Sequence, residues 1–181
     1  VKEEVVITIK MDGENTTLYR DGIHARSLDY AQHLSRNRVK ALHAGIAHNI
    51  PQGWRLCGEN VYAKHSIHYQ NLPHFFLLFS IWNEKNVCLS WDDTVEWAQL
   101  LDITLVPLLY RGSWPDVDMW HRFNQHKKQD NGDEVEGYIV RVTRSFTYSE
   151  FSLVVAKYVR ANHVQTNHHW INSEVVPNSG W

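Results

Sequence analysis

Short β-prone runs recur along almost the whole chain, and they constrain the fold more than any other feature of the sequence. Each run is rich in Val, Ile, Leu, Thr or aromatic residues, and most end in turn-forming residues, a pattern that predicts β-strands. The predicted strands cover residues 4–10, 15–20, 54–59, 75–82, 103–110, 137–143 and 152–159. Strands of this kind must be buried in one or more sheets.

Three helices are expected between these strands. Ser90 and Asp93 form a capping-box pattern ahead of a helix at 91–101. A second helix, with apolar residues at helical spacing, is expected to be capped by Ser35, and a third is expected to follow Trp114-Pro115. Strands outnumber helices, and hairpins mix with crossovers. The predicted fold class is therefore α+β, with largely antiparallel sheets in one domain spanning residues 1–181.

The composition excludes some classes of protein. The chain is 43% hydrophobic, and no apolar run approaches the ~20 residues of a membrane span, so no membrane association is expected. No secretory signal is recognisable at the start, and Cys57 and Cys88 fit thiols in a reducing compartment, although one disulfide is also compatible with the sequence. We expect a cytoplasmic monomer. The net charge of −2 provides no global attraction to nucleic acid.

The residues Lys-Met-Asp-Gly at positions 10–13 place a lysine beside an Asp-Gly pair, between two β-prone runs. This pattern predicts a tight hairpin with Lys10 at its mouth. A lysine at the end of a strand is most often a solvated surface charge, so Lys10 by itself indicates no site.

Four later segments follow Lys10 in a definite order. They are "CGEN" with Glu59, "FFLLFSIW" with Phe76 and Phe79, "VEGYIVR" with Glu136, and "VVAKYVR" with Lys157 and Arg160. This ordered set resembles the covalent nucleotidyltransferase superfamily, and within it the RNA ligases, whose first motif commonly reads Lys-x-x-Gly-x-Asn. Lys10, Gly13 and Asn15 match that motif, and the resemblance extends from about residue 5 to about residue 165.

The resemblance implies a fold and an activity. The fold would be a nucleotidyltransferase (ATP-grasp-like) adenylation domain of mainly antiparallel sheets flanked by helices. The activity would be an ATP- and Mg²⁺-dependent RNA ligase that joins an RNA 5′-phosphate to a 3′-hydroxyl in three nucleotidyl-transfer steps.

The resemblance also implies a role for each matched residue. Lys10 would attack the α-phosphate of ATP and carry AMP on its side-chain nitrogen. The other roles implied are Asn15 for the metal-bound water or the phosphate, Arg26 for the nucleotide or the RNA 5′-phosphate, Glu59 for the ribose hydroxyl, Phe76 for stacking on adenine with Phe79 in the core, Glu136 for magnesium, and Lys157 for the α-phosphate.

The chain departs from the family pattern at two positions. RNA ligases usually have an acidic residue that helps to recognise adenine where this chain has Ile9. They also have a second lysine in the last motif where this chain has Val159, so Arg160 is the expected substitute. Lys10 lies close to the start, and we expect the upstream elements of the family to be short or absent. Two alternatives remain open: a nucleotide- or RNA-binding module without chemistry, and a guanylyltransferase.

Two further clusters could bind ligands. The basic segment 36–40, "RNRVK", fits contacts to RNA phosphates and a solvated helix face equally well. His163, His168 and His169 suggest a zinc or iron site, but no cysteine lies near them and their spacing fits no common zinc pattern. We expect them to face solvent or RNA.

Overall fold

The computed structural model describes residues 3–26, 34–114, 128–161 and 174–181. The strands within these ranges are β1 (Glu4–Lys10), β2 (Glu14–Tyr19), β3 (Gly22–Ala25), β4 (Arg55–Asn60), β5 (Phe76–Trp82), β6 (Val87–Cys88), β7 (Leu108–Ser113), β8 (Gly137–Val142), β9 (Phe146–Thr147) and β10 (Val155–Val159). The α-helices are α1 (Asn37–Ile46), α2 (Trp91–Leu100) and α3 (Phe151–Val154). None of the helices in these ranges has both the length and the apolar character needed to cross a bilayer.

The strands form two antiparallel sheets. The four-stranded sheet has the order β10-β8-β1-β7, and the six-stranded sheet has the order β3-β2-β4-β5-β6-β9. Together with the few helices, this arrangement confirms the predicted α+β class with mainly antiparallel sheets.

The two longer helices cover one face of the six-stranded sheet. Val39 and Ile46 of α1 and Ala98 of α2 are buried in one cluster with Leu56 and Ile81 of the sheet. Residues alternate between the two faces of a strand, so Glu59, three residues after Leu56 in β4, lies on the opposite face. A second buried cluster joins that face to the four-stranded sheet.

The predicted hairpin at residues 10–13 does not form. β1 pairs with β7 and β8, whereas β2 pairs with β3 and β4, so Met11–Gly13 cross from one sheet to the other. The tight hairpin lies further along, where Arg20 and Asp21 connect β2 to β3. The Asp-Gly pair therefore lies where the chain passes from one sheet to the other, and not in a turn between two paired strands.

The helix predictions have mixed outcomes. The Ser90 hydroxyl accepts a hydrogen bond from the backbone N–H of Asp93 and caps α2 as predicted. The cap prediction for Ser35 is wrong, because a 3₁₀ turn precedes α1 and Arg36 occupies the N-cap position without a side-chain cap bond. The helix expected after Trp114-Pro115 falls at 115–127, outside the described residues.

Two predicted strands are shorter in the structure. Pro107 has no N–H to donate. Before it, Thr104 and Val106 bond to the backbone of Leu78 in β5, and the Pro107 carbonyl accepts from Ile9 of β1, so β7 begins only at Leu108. In the run predicted at 152–159, Thr147 and Glu150 form a capping box that starts a helical turn, which delays β10 until Val155. The short strands β3, β6 and β9 were not predicted.

Candidate active site

Lys10 is the last residue of β1, and its side chain meets a carboxylate from a distant part of the chain. The Lys10 Nζ donates a hydrogen bond to Glu136 Oε2 at 2.6 Å. The two residues meet because Lys10 pairs with Gly137, the residue after Glu136, in the β1–β8 ladder. The Lys10 side chain retains 27% of its exposure, so it is only partly buried.

The segment after Lys10 is held by polar contacts that the sequence did not reveal. The Asp12 carboxylate accepts hydrogen bonds from the backbone N–H groups of Ser66 at 2.8 Å and Ile67 at 2.7 Å, and the Asp12 N–H donates to the Tyr69 hydroxyl at 2.9 Å. Asp12 therefore ties the lysine segment to the loop between β4 and β5.

Gly13 is required by packing. A Cβ at Gly13 would lie 2.5 Å from the carbonyl oxygen of Asn60, at the end of β4. Gly137 is similarly crowded, since a Cβ there would collide with the backbone of Tyr158 in β10. Both motif glycines thus allow strands to approach each other beside the Lys10–Glu136 pair.

Glu59 is the second carboxyl group of the site. It lies opposite Asn15 in the β2–β4 ladder and accepts a hydrogen bond from the backbone N–H of Gly13. Burial raises the pKa of Glu59 to about 8; the Lys10 charge opposes this rise, and the Glu136 charge adds to it. The fold therefore brings together one amine and two carboxyl groups.

Lys10 and Glu59 line a cleft of about 270 Å³ between the two sheets. The cleft is lined by Thr8, Ile9, Lys10, Met11, Asn15, Arg26, Glu59, Phe79, Ser80, Trp82, Cys88, Trp91, Val106, Ile139, Arg141, Phe146, Phe151 and Val155. The lining includes the expected Asn15 and Arg26 beside Lys10 and Glu59, and many of the other residues are aromatic or aliphatic. A cleft of this kind suits a ligand with a charged end and a flat apolar end.

Lys157 lies on the side of the four-stranded sheet that faces this cleft. It is paired with Ile139 in the β8–β10 ladder, and directly paired residues share a face. Val155, two residues earlier, lines the cleft on the same face. Lys157 itself is exposed.

The aromatic assignments are exchanged relative to the prediction. Phe76 is fully buried in the cluster beneath the helices, whereas Phe79 is partly exposed and lines the cleft. Phe76 and Phe79 are three residues apart in β5, so alternation puts them on opposite faces, and packing of the helices on the Phe76 face decides which ring borders the cleft.

Two other predicted residues turn away from Lys10. Ile9 borders the cleft, but only 3% of it is exposed, and it precedes Lys10 in a strand, so its side chain takes the opposite face. Arg160 has the same parity as Tyr158, on the face opposite Lys157, and its Nη2 donates to Glu134 Oε2 at 2.6 Å. It does not line the cleft.

The basic segment 36–40 follows neither expectation as a whole. Arg36 is buried and forms a two-pronged ion pair with Glu14. Arg38 lies over the rings of Tyr62, Phe75 and Trp181, with centroid distances of 5.5, 5.9 and 5.9 Å. Arg36 therefore anchors the chain before α1 to β2.

The sequence suggested a metal site for a group of histidines and a disulfide for two cysteines. No group of three or more His, Cys, Asp or Glu residues suited to a metal ion occurs in the part of the chain that the structure describes. The histidines 163, 168 and 169 lie outside that part. Cys57 and Cys88 are free thiols, so the disulfide alternative does not occur.

Arg141 is the charged cleft residue that the sequence prediction missed. It follows Ile139 by two residues in β8, and both line the cleft. Period-two alternation from a cleft-facing residue of the segment "VEGYIVR" could have identified it.

Comparison with known proteins gives one family and one fold. The model of the family described as "RNA ligase" matches residues 3–159. A comparison with curated proteins found no significant match.

Several solved structures of an RNA ligase from Naegleria gruberi are similar to this chain. An apo variant has a TM-score of 0.57 at 18% identity, covering 80% of this chain and 48% of its own. Two variants solved with ATP and Mn have TM-scores of 0.59 and 0.57 at 17% and 18% identity, covering 87% and 84% of this chain and 50% and 51% of theirs. The chain spans about half the length of these proteins, and at this identity the similarity is one of fold.

Proposed function

This chain belongs to the RNA ligase family, and from that premise we propose that it joins an RNA 5′-phosphate to a 3′-hydroxyl through an AMP adduct on Lys10. The observation that carries the proposal is the amine of Lys10 at one end of a cleft, 2.6 Å from Glu136 and beside Glu59. The domain would be an adenylyltransferase of the nucleotidyltransferase fold.

In the first step, the Lys10 Nζ attacks the α-phosphorus of ATP through its lone pair, and the protons that the amine loses pass to solvent. An N–P bond forms, the bond from that phosphorus to the bridging oxygen breaks, and pyrophosphate leaves. In the second step, an oxygen of the RNA 5′-phosphate displaces Lys10 from the AMP phosphorus. In the third step, the RNA 3′-hydroxyl attacks the activated 5′-phosphorus and AMP leaves.

The residues around Lys10 fit the charges of this reaction. The transferred phosphoryl group is anionic, so cations placed near it stabilise the transition state. Lys157 shares the cleft-facing side of the sheet with Ile139, and Arg26 lines the cleft with Asn15. We propose that Lys157 contacts the α-phosphate and that Arg26 contacts the nucleotide or the RNA 5′-phosphate.

The carboxyl chemistry of the site fits magnesium. Mg²⁺ binds oxygen ligands, takes one or two carboxylates and keeps several waters, so it needs no cluster of protein ligands. Glu136 would hold the ion, with Asn15 near its waters or the phosphate. When bound, the ion supplies positive charge at the reacting phosphate.

The rest of the cleft fits the nucleoside. We propose that Glu59 binds a ribose hydroxyl and that the adenine lies between Phe79 and Ile139. Phe79 takes the stacking role first expected of Phe76, because it is Phe79 that lines the cleft. Stacking and a ribose hydrogen bond position the α-phosphate for attack, which contributes much of the rate in such transfers.

The first prediction concerns covalent labelling. Incubation with α-labelled ATP and Mg²⁺, followed by a denaturing gel, should give a labelled protein band that Lys10→Ala abolishes, because the substitution removes the nucleophile. Lys85→Ala, which removes an exposed lysine from a turn, should label like wild type. A band that persists in Lys10→Ala, or is lost in Lys85→Ala, contradicts the assignment.

The same experiment separates the alternatives. A band obtained with α-labelled GTP but not ATP would favour a guanylyltransferase. A folded protein that binds ATP without being labelled would favour a binding module that lacks the chemistry.

A further inference from the structure

A cluster of basic and aromatic side chains lies outside the cleft, where α1 meets the loop between β4 and β5. It brings together residues from α1, from both ends of that loop and from the segment 174–181. None of its members lines the cleft. We call it the Arg38 cluster, and its members are Arg38, Tyr62, His74, Phe75 and Trp181.

The centre of the cluster is the guanidinium of Arg38. Its Cζ lies between 5.5 and 5.9 Å from the centres of the three aromatic rings. Attraction of this kind between a cation and a ring uses none of the five N–H donors of a guanidinium. Arg38 is exposed, and no carboxylate among the described residues forms an ion pair with it. The charge and the donors therefore suit an anion that comes from outside, and a planar guanidinium suits a phosphate in particular.

The rings around Arg38 offer an aromatic surface to the same partner. Trp181 is 39% exposed, and its ring centre lies 6.2 Å from that of the half-buried Tyr62. Phe75 is buried beneath them and meets Trp181 through a ring edge at 6.1 Å. His74 packs on Phe75 with ring centres 4.1 Å apart. A cation beside accessible aromatic rings is typical of surfaces that bind single-stranded nucleic acid.

Backbone contacts hold the aromatic rings in place without a ligand. The backbone N–H of Asn178 donates to the carbonyl of Tyr62 at 2.8 Å, and its side-chain amide donates to the carbonyl of Val61 at 2.9 Å. Asn178 is buried, so these bonds fix the segment that carries Trp181 against the loop that carries Tyr62. A surface that is already arranged loses less entropy when it binds a partner.

Two connections place the cluster next to the end of the cleft that holds Lys10. Tyr62 follows the cleft residue Glu59 by three positions, so at most about 11 Å of extended chain separates them. On the other side of the cluster, Arg36 precedes α1 and pairs with Glu14 at the start of β2. The Arg38 cluster is therefore within reach of a strand whose end lies at Lys10.

We propose that the Arg38 cluster binds an unpaired nucleotide of the RNA substrate beside the ends that are joined, with a phosphate on Arg38 and a base on the rings of Trp181 and Tyr62. The identity of the ligand as RNA rests on the proposed function. A base inside a duplex is stacked on its neighbours and has no free face for a ring. The substrate assigned to this surface is thus RNA that is single-stranded next to the break, and not a nick in a continuous duplex.

The first test measures the phosphate contact. Binding of a single-stranded RNA of about 12 nucleotides with a 5′-phosphate is followed by fluorescence anisotropy at several salt concentrations. In Arg38→Gln the slope of log K against the logarithm of the salt concentration should fall by about 0.7, the contribution of one phosphate contact. Arg144→Gln is the matched control, because this exposed arginine pairs with Glu3 and Glu150 and should keep the wild-type slope. Equal slopes in Arg38→Gln and wild type would overturn the inference.

The second test separates stacking from charge. Trp181→Leu should weaken binding of the single-stranded RNA about tenfold, a loss typical of one stacked base, and should leave the salt slope unchanged. Binding of a fully paired duplex of the same sequence should change little. A variant that weakens both RNAs equally, or neither, would contradict the assignment to an unpaired base. If Trp181→Leu does not fold, the salt slope of Arg38→Gln with single-stranded RNA and with duplex decides alone.

The inference and the proposed function can fail separately, because the cluster lies outside the cleft that would bind ATP. If RNA binds with a salt slope that depends on Arg38 while Lys10 is never labelled, the RNA surface stands and the ligase chemistry does not. If Lys10 is labelled while Arg38→Gln and Trp181→Leu bind RNA like wild type, the chemistry stands and the cluster is not an RNA surface.

Discussion

Glu59 lines the cleft together with Lys10, whose amine contacts the Glu136 carboxylate. Because burial raises the pKa of Glu59 to about 8, its carboxyl group is largely protonated at neutral pH. A protonated carboxyl group can donate as well as accept a hydrogen bond, which suits contact with a ribose hydroxyl. Burial of this single residue therefore decides whether its carboxyl group can donate a hydrogen bond.

This shift predicts a pH dependence of stability. The folded state binds the Glu59 proton more tightly than the unfolded state, whose pKa is near 4.5. The stabilisation is therefore complete below about pH 4.5 and is lost as the pH rises through about 8. Between these pH values wild type should lose stability on the order of a few kcal/mol in the free energy of unfolding. Glu59→Gln cannot ionise and should not show this loss.

Urea denaturation at about pH 5.5 and about pH 8.5 would measure this difference for wild type and Glu59→Gln. Glu96→Gln, an exposed substitution in α2, should follow wild type. An unchanged pH dependence in Glu59→Gln would show that Glu59 is not the group responsible.

The two phenylalanines of β5 give a matched pair of substitutions. Phe76→Ala should lower the free energy of unfolding by about 3–5 kcal/mol, because the ring is fully buried. Phe79→Ala should cost less stability but weaken ATP binding, because its ring borders the cleft. Denaturation and calorimetry on both variants check this, and loss of ATP binding in a folded Phe76→Ala alone would reverse the assignment.

At the scale of elements, the crossing at Met11–Gly13 connects the nucleophile to the rest of the site. It carries the chain from the four-stranded sheet, where Lys10 ends β1, to the six-stranded sheet, where Asn15 and Glu59 face each other. Close approach at Gly13 and the hydrogen bonds of Asp12 hold it in place. Placement of Lys10 thus depends on a connection between sheets.

Gly13→Ala tests this connection. The added methyl group would press on the Asn60 carbonyl, and we expect about 1–3 kcal/mol of destabilisation together with slower labelling of Lys10. The matched control is Gly45→Ala in α1, where nothing lies within 4 Å of the added atom. That change should stabilise the protein by up to about 1 kcal/mol. Thermal denaturation and labelling rates decide, and equal behaviour of the two variants would contradict the packing argument.

At the scale of the whole molecule, the loop between β4 and β5 collects contacts from three distant segments. The Asp12 carboxylate accepts a hydrogen bond from the backbone N–H of Ser66, and the Asp133 carboxylate accepts from the backbone N–H groups of Gln70 and Asn71. The Asn178 side chain accepts from the backbone N–H of Tyr69. The loop therefore joins the segments that carry Lys10 and Glu136 to residues near the end of the chain. The site is assembled by the fold as a whole.

Local sequence signals predicted much of the architecture. β1 and β5 follow from their β-branched and aromatic runs, and α2 follows from Ser90 and Asp93. These signals succeed because strand propensity and helix capping depend on a few neighbouring residues. The motif order similarly predicted that Lys10 and Glu136 belong to one site.

Other features depended on tertiary structure. The sequence could determine that Lys10, Glu59 and Glu136 end or precede strands, but sheet membership decided that the Asp-Gly pair is a crossing and not a hairpin. Packing of the helices on one face of β5 decided that Phe79 and not Phe76 faces the cleft. Desolvation decided the pKa of Glu59. Pairing and burial arise between residues far apart in the chain, and no local pattern encodes them.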